Sequence, residues 1–359
     1  MRIIIFSYDY PPNNGGISRL CGEIRKELIN RNISVHVITC AKGEEEEGIE
    51  RVTGRRGVIE LKMRHALKKI YRPGDIILTD TWHPAGMLAR TISKDVYILA
   101  HGAEFLPSKG LSNSKLWNLY RRVVLIKAKG IIANSHYTDN LVRQCSKKIS
   151  SIAIPLAVDS AYFHPTEGKK TNDNILRICS LSRLQKFKGH DFILRTISKL
   201  PSSYQKRLLL EIGGKGEYRK DLERLSHDLG IENIVHFLGF MPDEDVLDFY
   251  SRNDVFILCS REEPEDRNVE GFGLVFIEAQ ACGTAAIGTR TGGIPDAICD
   301  GNGGWLIDQD NEDQLIDLLK KLIDDKRMAQ NEGMKARSRV VEKCNWTKYC
   351  SELLNFIGY

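Results

Sequence analysis

Short apolar, β-branched runs alternate with amphipathic helical stretches along almost the whole of this sequence. Runs of about four to eight residues that are apolar throughout are typical of strands buried on both faces of a parallel sheet. The clearest runs are "RIIIFSY", "SVHVIT", "DIILTD", "DVYILAHG", "GIIANS", "LRICSLS", "RLLLEIGG", "IVHFLGF", "DVFILCS" and "TAAIGT". Because repeated strand–helix units fold with helices against the sheet, we predict an α/β fold with doubly wound parallel sheets.

The length of 359 residues predicts more than one domain. A single hydrophobic core rarely serves so long a chain, and two domains of about 170 residues each are expected. The polar, turn-rich segment Glu167–Asn174 is the predicted linker, which gives a domain 1–170 and a domain 171–359. Ligands of doubly wound domains bind at the carboxyl ends of the strands, so we expect the chemistry in a cleft where two such edges meet.

Charge is unevenly divided between the two halves. Residues 1–170 carry 27 Lys/Arg and 16 Asp/Glu, a net of +11, whereas residues 171–359 carry 25 and 31, a net of −6. The first half is therefore expected to face an anionic partner. That partner is not expected to be a nucleic acid, because the basic half lacks the interleaved aromatic side chains on which bases stack.

Part of this positive charge lies in the segment Arg51–Arg72, which holds eight Lys/Arg and one acid among apolar residues. The segment Tyr120–Lys129 adds further basic residues. Such segments are typical of helices on an anionic membrane surface, and also of ordinary solvated helix faces. No run approaches the roughly 20 apolar residues of a membrane span.

The N-terminal run "MRIIIFSYDY" is short, and it predicts a first strand rather than a signal peptide. The nine cysteines show no CxxC pairing and lie in apolar segments, as is typical of buried, reduced thiols in a cytosolic protein. We therefore expect a cytoplasmic protein, with peripheral contact at the inner face of the cytoplasmic membrane as a further option.

Two features of the first half follow predicted strands. In "DYPPNNGGISRL", Gly15 and Gly16 precede a helix expected to begin near Ile17. Glycines at such a turn let backbone N–H groups approach a phosphate at the positive end of the helix, although a plain connector has the same composition. In "AHGAE", His101 comes directly after a strand, where it serves either as a structural hydrogen-bonding group or as a group in the reaction.

The loop "SRLQKFKG" of the second half places Arg183 and Lys188 between a strand and a helix expected to begin near His190. Two cations at the carboxyl end of a strand can hold a diphosphate, Arg through its planar fork and Lys as a point charge. A solvated basic turn is the alternative interpretation.

The stretch "RNVEGFGLVFIEAQACG" places Glu270 in a loop and Glu278 inside the following helix, which should end at Gly283. The backbone N–H groups expected to be free for a phosphate at the start of this helix are those of Gly271, Phe272, Gly273 and Leu274. A carboxylate on an otherwise apolar helix face needs a partner, and the hydroxyls of a ribose would supply one. The alternative is that Glu278 lies on a solvated face.

Glu270 and Glu278 form the E-x7-E pattern of retaining glycosyltransferases of family 4, and the whole chain resembles that family, which has the GT-B fold. "YPPNNGG" resembles its acceptor-side loop, "HGAE" its sugar-contacting His loop, and "SRLQKFKG" its Arg/Lys diphosphate site. "LEIGGKGEYRKDL", which contains Gly214, resembles its Gly-rich loop. Ser182 stands where a Gly is usual, and Leu156 and Ala157 stand where Asn-Gly is common.

The resemblance implies roles for individual residues. Arg183 and Lys188 would bind the diphosphate, Glu278 the ribose, and Glu270 with the adjacent amides the donor sugar, beside which His101 would lie. It also implies that the terminal helix, about 345–359, packs back on the first domain.

The implied reaction is retaining transfer of a hexose from a nucleotide diphosphate sugar to a hydroxyl of a glycan or lipid-linked acceptor of the cell envelope. The segment "VEGFGLVFIEAQACG" is similar to the corresponding sequence of bacterial mannosyltransferases that use GDP-mannose, and this similarity favours GDP-mannose over a UDP-hexose as the donor. Two other functions fit the same architecture, a sugar-nucleotide 2-epimerase and a non-catalytic nucleotide-sugar-binding module. A dehydrogenase is disfavoured because the first strand lacks a GxGxxG.

We expect neither a metal nor a further cofactor, since Arg183 and Lys188 can balance the charge of the leaving diphosphate. Two acidic motifs, Asp308–Asp310 and Asp243–Asp245, have the spacing of a metal-binding D-x-D. Both precede helical runs, where acids cap N-termini and complement the helix dipole, and we predict that role for them.

Overall fold

A computed structural model describes residues 2–106, 115–166 and 173–359 of the chain. The chain divides into two compact units. The first comprises Met1–Leu156, Glu265–Arg267 and Trp346–Tyr359, and the second comprises Ala157–Pro264 and Asn268–Asn345. Most of the predicted linker, including the predicted boundary between residues 170 and 171, lies outside the described residues.

The first unit contains a seven-stranded sheet of order β3-β2-β1-β4-β5-β6-β7 in which all neighbouring strands are parallel. Its strands are β1 (Ile3–Ser7), β2 (Val35–Thr39), β3 (Ile49–Arg51), β4 (Ile76–Thr79), β5 (Val96–Ala100), β6 (Gly130–Ala133) and β7 (Ser151–Ala153). Its helices up to β7 are α1 (Gly16–Asn30), α2 (Val58–Ile70), α3 (Met87–Arg90), α4 (Lys115–Lys127) and α5 (His136–Cys145). Every residue of β1, β4, β5 and β6 is buried, because helices cover both faces of the sheet.

The second unit contains a six-stranded parallel sheet of order β10-β9-β8-β11-β12-β13. Its strands are β8 (Leu176–Leu181), β9 (Leu208–Gly213), β10 (Val235–Gly239), β11 (Val255–Leu258), β12 (Ala285–Thr289) and β13 (Gly304–Ile307). Its helices are α6 (His190–Ser198), α7 (Ser202–Gln205), α8 (Arg219–Asp228), α9 (Asp243–Ser251), α10 (Leu274–Ala281), α11 (Ile294–Ala297), α12 (Glu312–Asp324) and α13 (Lys326–Lys343). Strand residues such as Ile178 and Ile257 form its core with Leu194 of α6 and Leu319 of α12.

The last helix, α14 (Trp346–Ile357), belongs to the first unit. It packs against α1, where the Arg31 guanidinium donates hydrogen bonds to the hydroxyl of Ser351 at 3.0 Å and to the carbonyl oxygen of Thr347. At its end, the Tyr97 hydroxyl of β5 donates to the carbonyl oxygen of Ile357 at 3.2 Å. The helix α14 therefore packs on the first unit, although it follows the second unit in the sequence.

The predicted α/β class and all ten predicted strands are confirmed, and the region after Asn311 is helical as expected. Three strands, β3, β7 and β13, were not predicted, and each lies at the edge of a sheet. None of the nine cysteines, all of which are described, forms a disulfide bond; six of them are buried, whereas Cys299 is exposed. In the described ranges, we find no helix with the length and apolarity that crossing a bilayer requires.

Candidate active site

The predicted cation Lys188 and the predicted carboxylate Glu270 form an ion pair in the second unit. Lys188 Nζ donates to Glu270 Oε2 at 2.6 Å, joining the loop after β8 to the loop before α10. The two side chains are only 11% and 17% exposed. Lys188 Nζ also lies 4.8 Å from the centroid of the Phe187 ring, within range of a cation–π interaction. An ammonium carries three protons, so Lys188 can bind a further anion while it stays paired with Glu270.

Glycines bring the backbones of four loops together at the carboxyl edge of this sheet. A Cβ on Gly214, whose φ is +123°, would lie 1.9 Å from the carbonyl oxygen of Ser182, so the loops after β8 and β9 touch. A Cβ on Gly189 (φ +75°) would lie 1.9 Å from the carbonyl oxygen of Cys259 after β11. A Cβ on Gly292, in the loop after β12, would lie 2.4 Å from the carbonyl oxygen of Glu270. Larger residues would push these loops apart and separate Lys188 from Glu270.

The N-terminus of α10 follows Glu270 directly. Gly273 is its N-cap with φ +93°, and no side chain caps the helix. The Phe276 N–H donates to the carbonyl oxygen of Gly273 at 3.0 Å, but the N–H groups before it have no acceptor within a helix, and the helix dipole makes them attractive to an anion. The structure places Gly273 and Leu274 at the helix start, as predicted, with Gly271 and the buried Phe272 just before it.

Arg183 lies on the same loop as Lys188, but its side chain is exposed. Among the described residues, no side-chain hydrogen bond or ion pair to Arg183 is found; only its backbone is fixed, where its carbonyl oxygen accepts from Ser182 Oγ at 3.0 Å. Because the Arg183 side chain is exposed and has no such partner, its guanidinium is available for a ligand. The structure does not bring Arg183 and Lys188 into contact.

Glu278 is buried, and the alternative that it lies on a solvated face is wrong. Its Oε2 accepts a hydrogen bond from the hydroxyl of Tyr250, on α9, at 3.3 Å. Burial, together with the neighbouring Glu278 carboxylate, raises the pKa of Tyr250 well above its usual range, so this hydroxyl stays protonated and donates. This partner could not be predicted from local spacing, because Tyr250 is a residue of another helix.

His190, the first residue of α6, is buried beside the Lys188 loop. Its Nε2 lies 3.2 Å from Ser180 Oγ, and its Nδ1 is buried without a partner among the described residues. Burial, and then the nearby Lys188, lower the pKa of His190 to about 4. The imidazole is therefore neutral in the folded protein at pH 7.

This neutral histidine predicts a loss of stability in mild acid. Between pH 6.5 and 4, His190 binds a proton in the unfolded chain but not in the folded protein. The free energy of unfolding should therefore fall by about 3 kcal/mol as the pH falls through this window. Urea unfolding across this range should show a clearly smaller decrease for His190→Gln, while the exposed control His227→Gln keeps the wild-type decrease. An equal decrease in the free energy of unfolding for wild type and His190→Gln would contradict the lowered pKa of His190.

In the first unit, His101 follows β5 as predicted and is half-buried. Its Nε2 lies 2.6 Å from the carbonyl oxygen of Asp80, which can only accept, so Nε2 carries a proton; in the neutral imidazole Nδ1 is then an acceptor. Its backbone N–H donates to Glu104 Oε1 at 2.7 Å. The imidazole is thus held in one orientation.

Asp80, at the end of β4, was not predicted. Its buried Oδ2 accepts from the N–H of Tyr8 at 2.6 Å, the N–H of Asp9 at 3.1 Å and Ser7 Oγ at 3.0 Å. Burial raises the pKa of this carboxyl against the opposing effect of those hydrogen bonds. Asp80 therefore connects the loop after β1, which leads to Gly15 and Gly16, with His101.

Gly15 is the N-cap of α1 and Gly16 its first residue, and both are exposed. The helix thus begins one residue before the predicted start. Gly15 has an extended backbone, φ −161°, which any residue adopts, and no side chain caps the helix. A phosphate or acceptor role for this pair stays a prediction.

Of the two D-x-D motifs, only Asp243–Asp245 has the role at a helix start that was predicted for it. The prediction is wrong for Asp308–Asp310, which lies before α12 and does not cap it, because the N-cap of that helix is Asn311. Asp243–Asp245 form the first turn of α9. Asp310 accepts from Arg261 Nε at 2.8 Å, and Arg261 also pairs with Asp191 at 2.9 Å. Within the described ranges, no group of three or more His, Cys, Asp or Glu side chains is arranged to hold a metal ion.

A further residue that sequence reasoning missed is Phe240, an exposed aromatic directly after β10. Lys215 Nζ, from the glycine loop after β9, lies 4.7 Å from the centroid of its ring. The signal was present, since an exposed aromatic at the carboxyl end of a strand in such a sheet is a candidate ligand contact.

Comparison with known proteins agrees with this architecture. The model of "Glycosyltransferase Family 4" matches residues 14–161, and that of "Glycosyl transferases group 1" matches residues 163–339. The chain is 25% identical, over 96% of its length and 95% of the relative's, to the GDP-mannose-dependent alpha-(1-6)-phosphatidylinositol monomannoside mannosyltransferase of Mycolicibacterium smegmatis. Over 42% of its length and 36% of the relative's, it is 36% identical to the D-inositol 3-phosphate glycosyltransferase of Corynebacterium jeikeium.

Among solved structures, Anabaena Alr3699/HepE in complex with UDP superposes with a TM-score of 0.81 over the whole of both chains at 18% identity. Sucrose-phosphate synthase from Thermosynechococcus elongatus gives the same TM-score at 19% identity, over 99% of this chain and 98% of that one. These similarities establish the fold, and the two adjoining family models together span most of the sequence. The chain belongs to the family 4 glycosyltransferases of the GT-B fold.

Proposed function

We propose that this glycosyltransferase moves a hexose, with retention of anomeric configuration, from GDP-mannose to a hydroxyl of a glycan or lipid-linked acceptor of the cell envelope. The observation that carries the proposal is the Lys188–Glu270 ion pair beside the uncapped start of α10. A diphosphate would bind Lys188, Arg183 and the first-turn N–H groups, while Glu270 accepts from a sugar hydroxyl. Glu270 Oε1, which makes no hydrogen bond to a described residue, supports that last role.

In the proposed reaction, the anomeric carbon exchanges its bond to the diphosphate for a bond to the acceptor. The acceptor oxygen forms a bond to the anomeric carbon on the face from which the diphosphate leaves, as the bond from that carbon to the phosphate oxygen breaks. The acceptor's proton passes to the departing phosphate oxygen, and a nucleoside diphosphate is released. Arg183 and Lys188 stabilise the charge that grows on this leaving group.

We propose that no metal takes part, because these two cations occupy the role that a divalent ion has in other phosphate chemistry. His101 is proposed to contact the transferred sugar, and Nδ1 is its free acceptor. Gly15 and Gly16 are proposed to supply backbone N–H groups to the ligand. Glu278 is proposed to bind the ribose, which requires that it exchange or share its hydrogen bond with Tyr250.

The choice of GDP-mannose rests on relatives whose names specify that donor. UDP-hexoses remain the competing donors, since Anabaena HepE is a structural neighbour solved with UDP-glucose. Phe240 and Lys215 are proposed to flank the nucleobase, because an exposed aromatic offers a stacking surface to any base. The two residues would therefore raise the affinity for the nucleotide more than they would distinguish one base from another.

We also propose peripheral contact with the cytoplasmic membrane through the segment Arg51–Arg72. Within it, α2 exposes Val58 and Leu61 beside a groove of about 590 Å³ that is also lined by Lys62 and Lys69. Exposed apolar residues among cations favour an anionic lipid surface.

The proposed reaction is tested by incubating the enzyme with GDP-mannose, UDP-glucose, UDP-galactose and UDP-N-acetyl sugars, with free and lipid-linked sugar acceptors, in the presence of EDTA. We expect GDP release from GDP-mannose that depends on acceptor, and an α-linked product by NMR. Conversion of a donor into its 2-epimer without acceptor would instead establish an epimerase. Donor binding without nucleoside diphosphate release would establish a binding module.

A further inference from the structure

The side chain of Arg261, which has no role in the proposed reaction, binds two carboxylates in the second unit. Its guanidinium is bidentate on Asp191 of α6, from Nη1 to Oδ1 at 2.9 Å and from Nη2 to Oδ2 at 3.1 Å. Its Nε donates to both carboxylate oxygens of Asp310, after β13, at 2.8 and 3.1 Å. The Arg261 side chain is only 14% exposed. Because a planar fork that binds two carboxylates has little freedom to rotate, the guanidinium is fixed in place.

This fixed guanidinium also holds the turn that carries Lys188. Its Nη1 donates to the carbonyl oxygen of Lys186 at 3.2 Å, and the backbone N–H of Arg261 donates to the carbonyl oxygen of Phe187 at 2.6 Å. Lys186, Phe187 and Lys188 form one turn of 3₁₀-helix, in which Lys188 is the residue that pairs with Glu270. The two residues before Lys188 are therefore both anchored on Arg261.

The next residue along the chain, Glu262, reaches the Glu270 side of the same ion pair. Glu262 Oε2 accepts from the N–H of Gly292 at 3.3 Å, in the loop after β12. In that loop, the N–H of Gly293 donates to the carbonyl oxygen of Glu270 at 2.8 Å. The N–H of Glu262 is itself bound by Gln309 Oε1 at 2.8 Å. Glu262 thus holds the loop that holds the backbone of Glu270.

The separation of Lys188 and Glu270 must be set by groups outside the pair, because the two loops that carry them are 82 residues apart in the sequence. A lysine ammonium is carried on a flexible stem, so the position of the backbone limits where the charge can lie. Charges that stabilise a leaving group must be in position before the reaction, and a displacement of about 1 Å can cost about 100-fold in rate. Arg261 and Glu262 are adjacent in the chain and contact one loop each.

We propose that Arg261 and Glu262 are positioning residues of the donor site. Arg261 acts through Lys188 on the binding of the diphosphate, and Glu262 acts through Glu270 on the binding of the transferred sugar. This inference rests on the proposed function, for which it names two residues that set the geometry of the donor site from behind the ion pair.

The first test is the affinity of Arg261→Gln for GDP, measured by calorimetry. This affinity should be at least about tenfold lower than that of wild type, because the turn that carries the Lys188 ammonium loses its anchor and a charged hydrogen bond to phosphate is weakened. The matched control is Arg290→Gln, which removes an exposed Arg that likewise pairs with two acids, Asp300 and Asp308. The control should keep the wild-type affinity for GDP.

A second variant separates the position of Lys188 from the stability of the fold. Arg261→Gln leaves the Asp191 carboxylate, which is 14% exposed, without its charged partner, so the Tm should fall. Arg261→Gln/Asp191→Asn removes both charges and should recover part of the lost Tm, while its affinity for GDP stays as low as that of Arg261→Gln. A double variant with wild-type affinity for GDP would show that Arg261 acts only on stability.

The second test compares GDP with GDP-mannose as ligands of Glu262→Ala. The affinity for GDP should stay within about twofold of wild type. The affinity for GDP-mannose should fall about tenfold, because the Glu270 carboxylate is proposed to bind a sugar hydroxyl. Glu262→Gln keeps an oxygen that can accept from Gly292 and should recover the affinity for GDP-mannose. The control Glu232→Ala removes an exposed acid that precedes the amino end of β10, and should match wild type with both ligands.

Either test can overturn the inference. Wild-type affinity for GDP in Arg261→Gln would remove Arg261 from the donor site. Wild-type affinity for GDP-mannose in Glu262→Ala, or an equal loss for GDP and GDP-mannose, would do the same for Glu262. These outcomes depend on binding alone, so absence of nucleoside diphosphate release with the expected affinities would end the proposed reaction and leave the positioning roles in place. Wild type that binds neither GDP nor GDP-mannose would end both.

Discussion

Arg183→Ala is expected to lower kcat by about 100-fold or more while leaving thermal stability unchanged. The guanidinium is exposed and makes no side-chain hydrogen bond or ion pair to a described residue, so its removal costs the folded protein little. In the reaction it is expected to stabilise charge that develops as the diphosphate departs, and the loss should appear in kcat more than in KM.

Two variants sharpen this prediction. Arg183→Lys keeps the charge but loses the planar fork, and its kcat should fall between wild type and Arg183→Ala. Arg195→Ala removes an exposed Arg from α6, in the same unit, and is expected to keep wild-type kcat. A kcat for Arg183→Ala within a few-fold of that of the control would remove Arg183 from the leaving-group site.

The second large effect concerns the Lys188–Glu270 pair. Removing both partners is expected to restore part of the stability lost in the single variants, but none of the activity. Breaking a mostly buried ion pair leaves one charge without compensation, so Glu270→Gln and Lys188→Met should each destabilise the protein by about 3 kcal/mol. The double variant leaves neither charge and should recover at least half of the summed loss. All three should nevertheless turn over at least 100-fold more slowly, because the phosphate and sugar contacts are lost.

A ligand effect distinguishes a binding role for Lys188 from a purely structural one. In Glu270→Gln, the bound diphosphate of GDP would compensate the Lys188 charge that the variant has left unpaired. GDP should therefore raise the Tm of Glu270→Gln more than that of wild type, and should leave Lys188→Met almost unchanged. Equal Tm increases in the three proteins would show that Lys188 does not meet the phosphates.

The architecture was readable from the sequence because central strands of parallel sheets are buried on both faces and are therefore apolar throughout. The strands β3 and β7 were missed for the same reason, since they are edge strands of three residues that are half-buried throughout, and their sequences show no continuous apolar run. The edge strand β13 is apolar and mostly buried, but it has only four residues.

The residue types of the site were also readable, but their pairing was not. Lys188 and Glu270 are 82 residues apart, and no local spacing predicts that they meet at 2.6 Å. The burial of Glu278 was inferred from its apolar neighbours, whereas Tyr250 became its partner only through the packing of α9 on α10. Asp80 was missed because its role depends on three loops that converge in space.

The central claim is that the diphosphate of a sugar nucleotide binds at the start of α10, between Arg183 and Lys188. A crystal structure of the protein grown with GDP tests this most directly. We expect the two phosphates within about 3 Å of the Lys188 ammonium, the Arg183 guanidinium and the N–H groups of Gly273 and Leu274. Nucleotide density elsewhere, with Lys188 still bound only to Glu270, would contradict it.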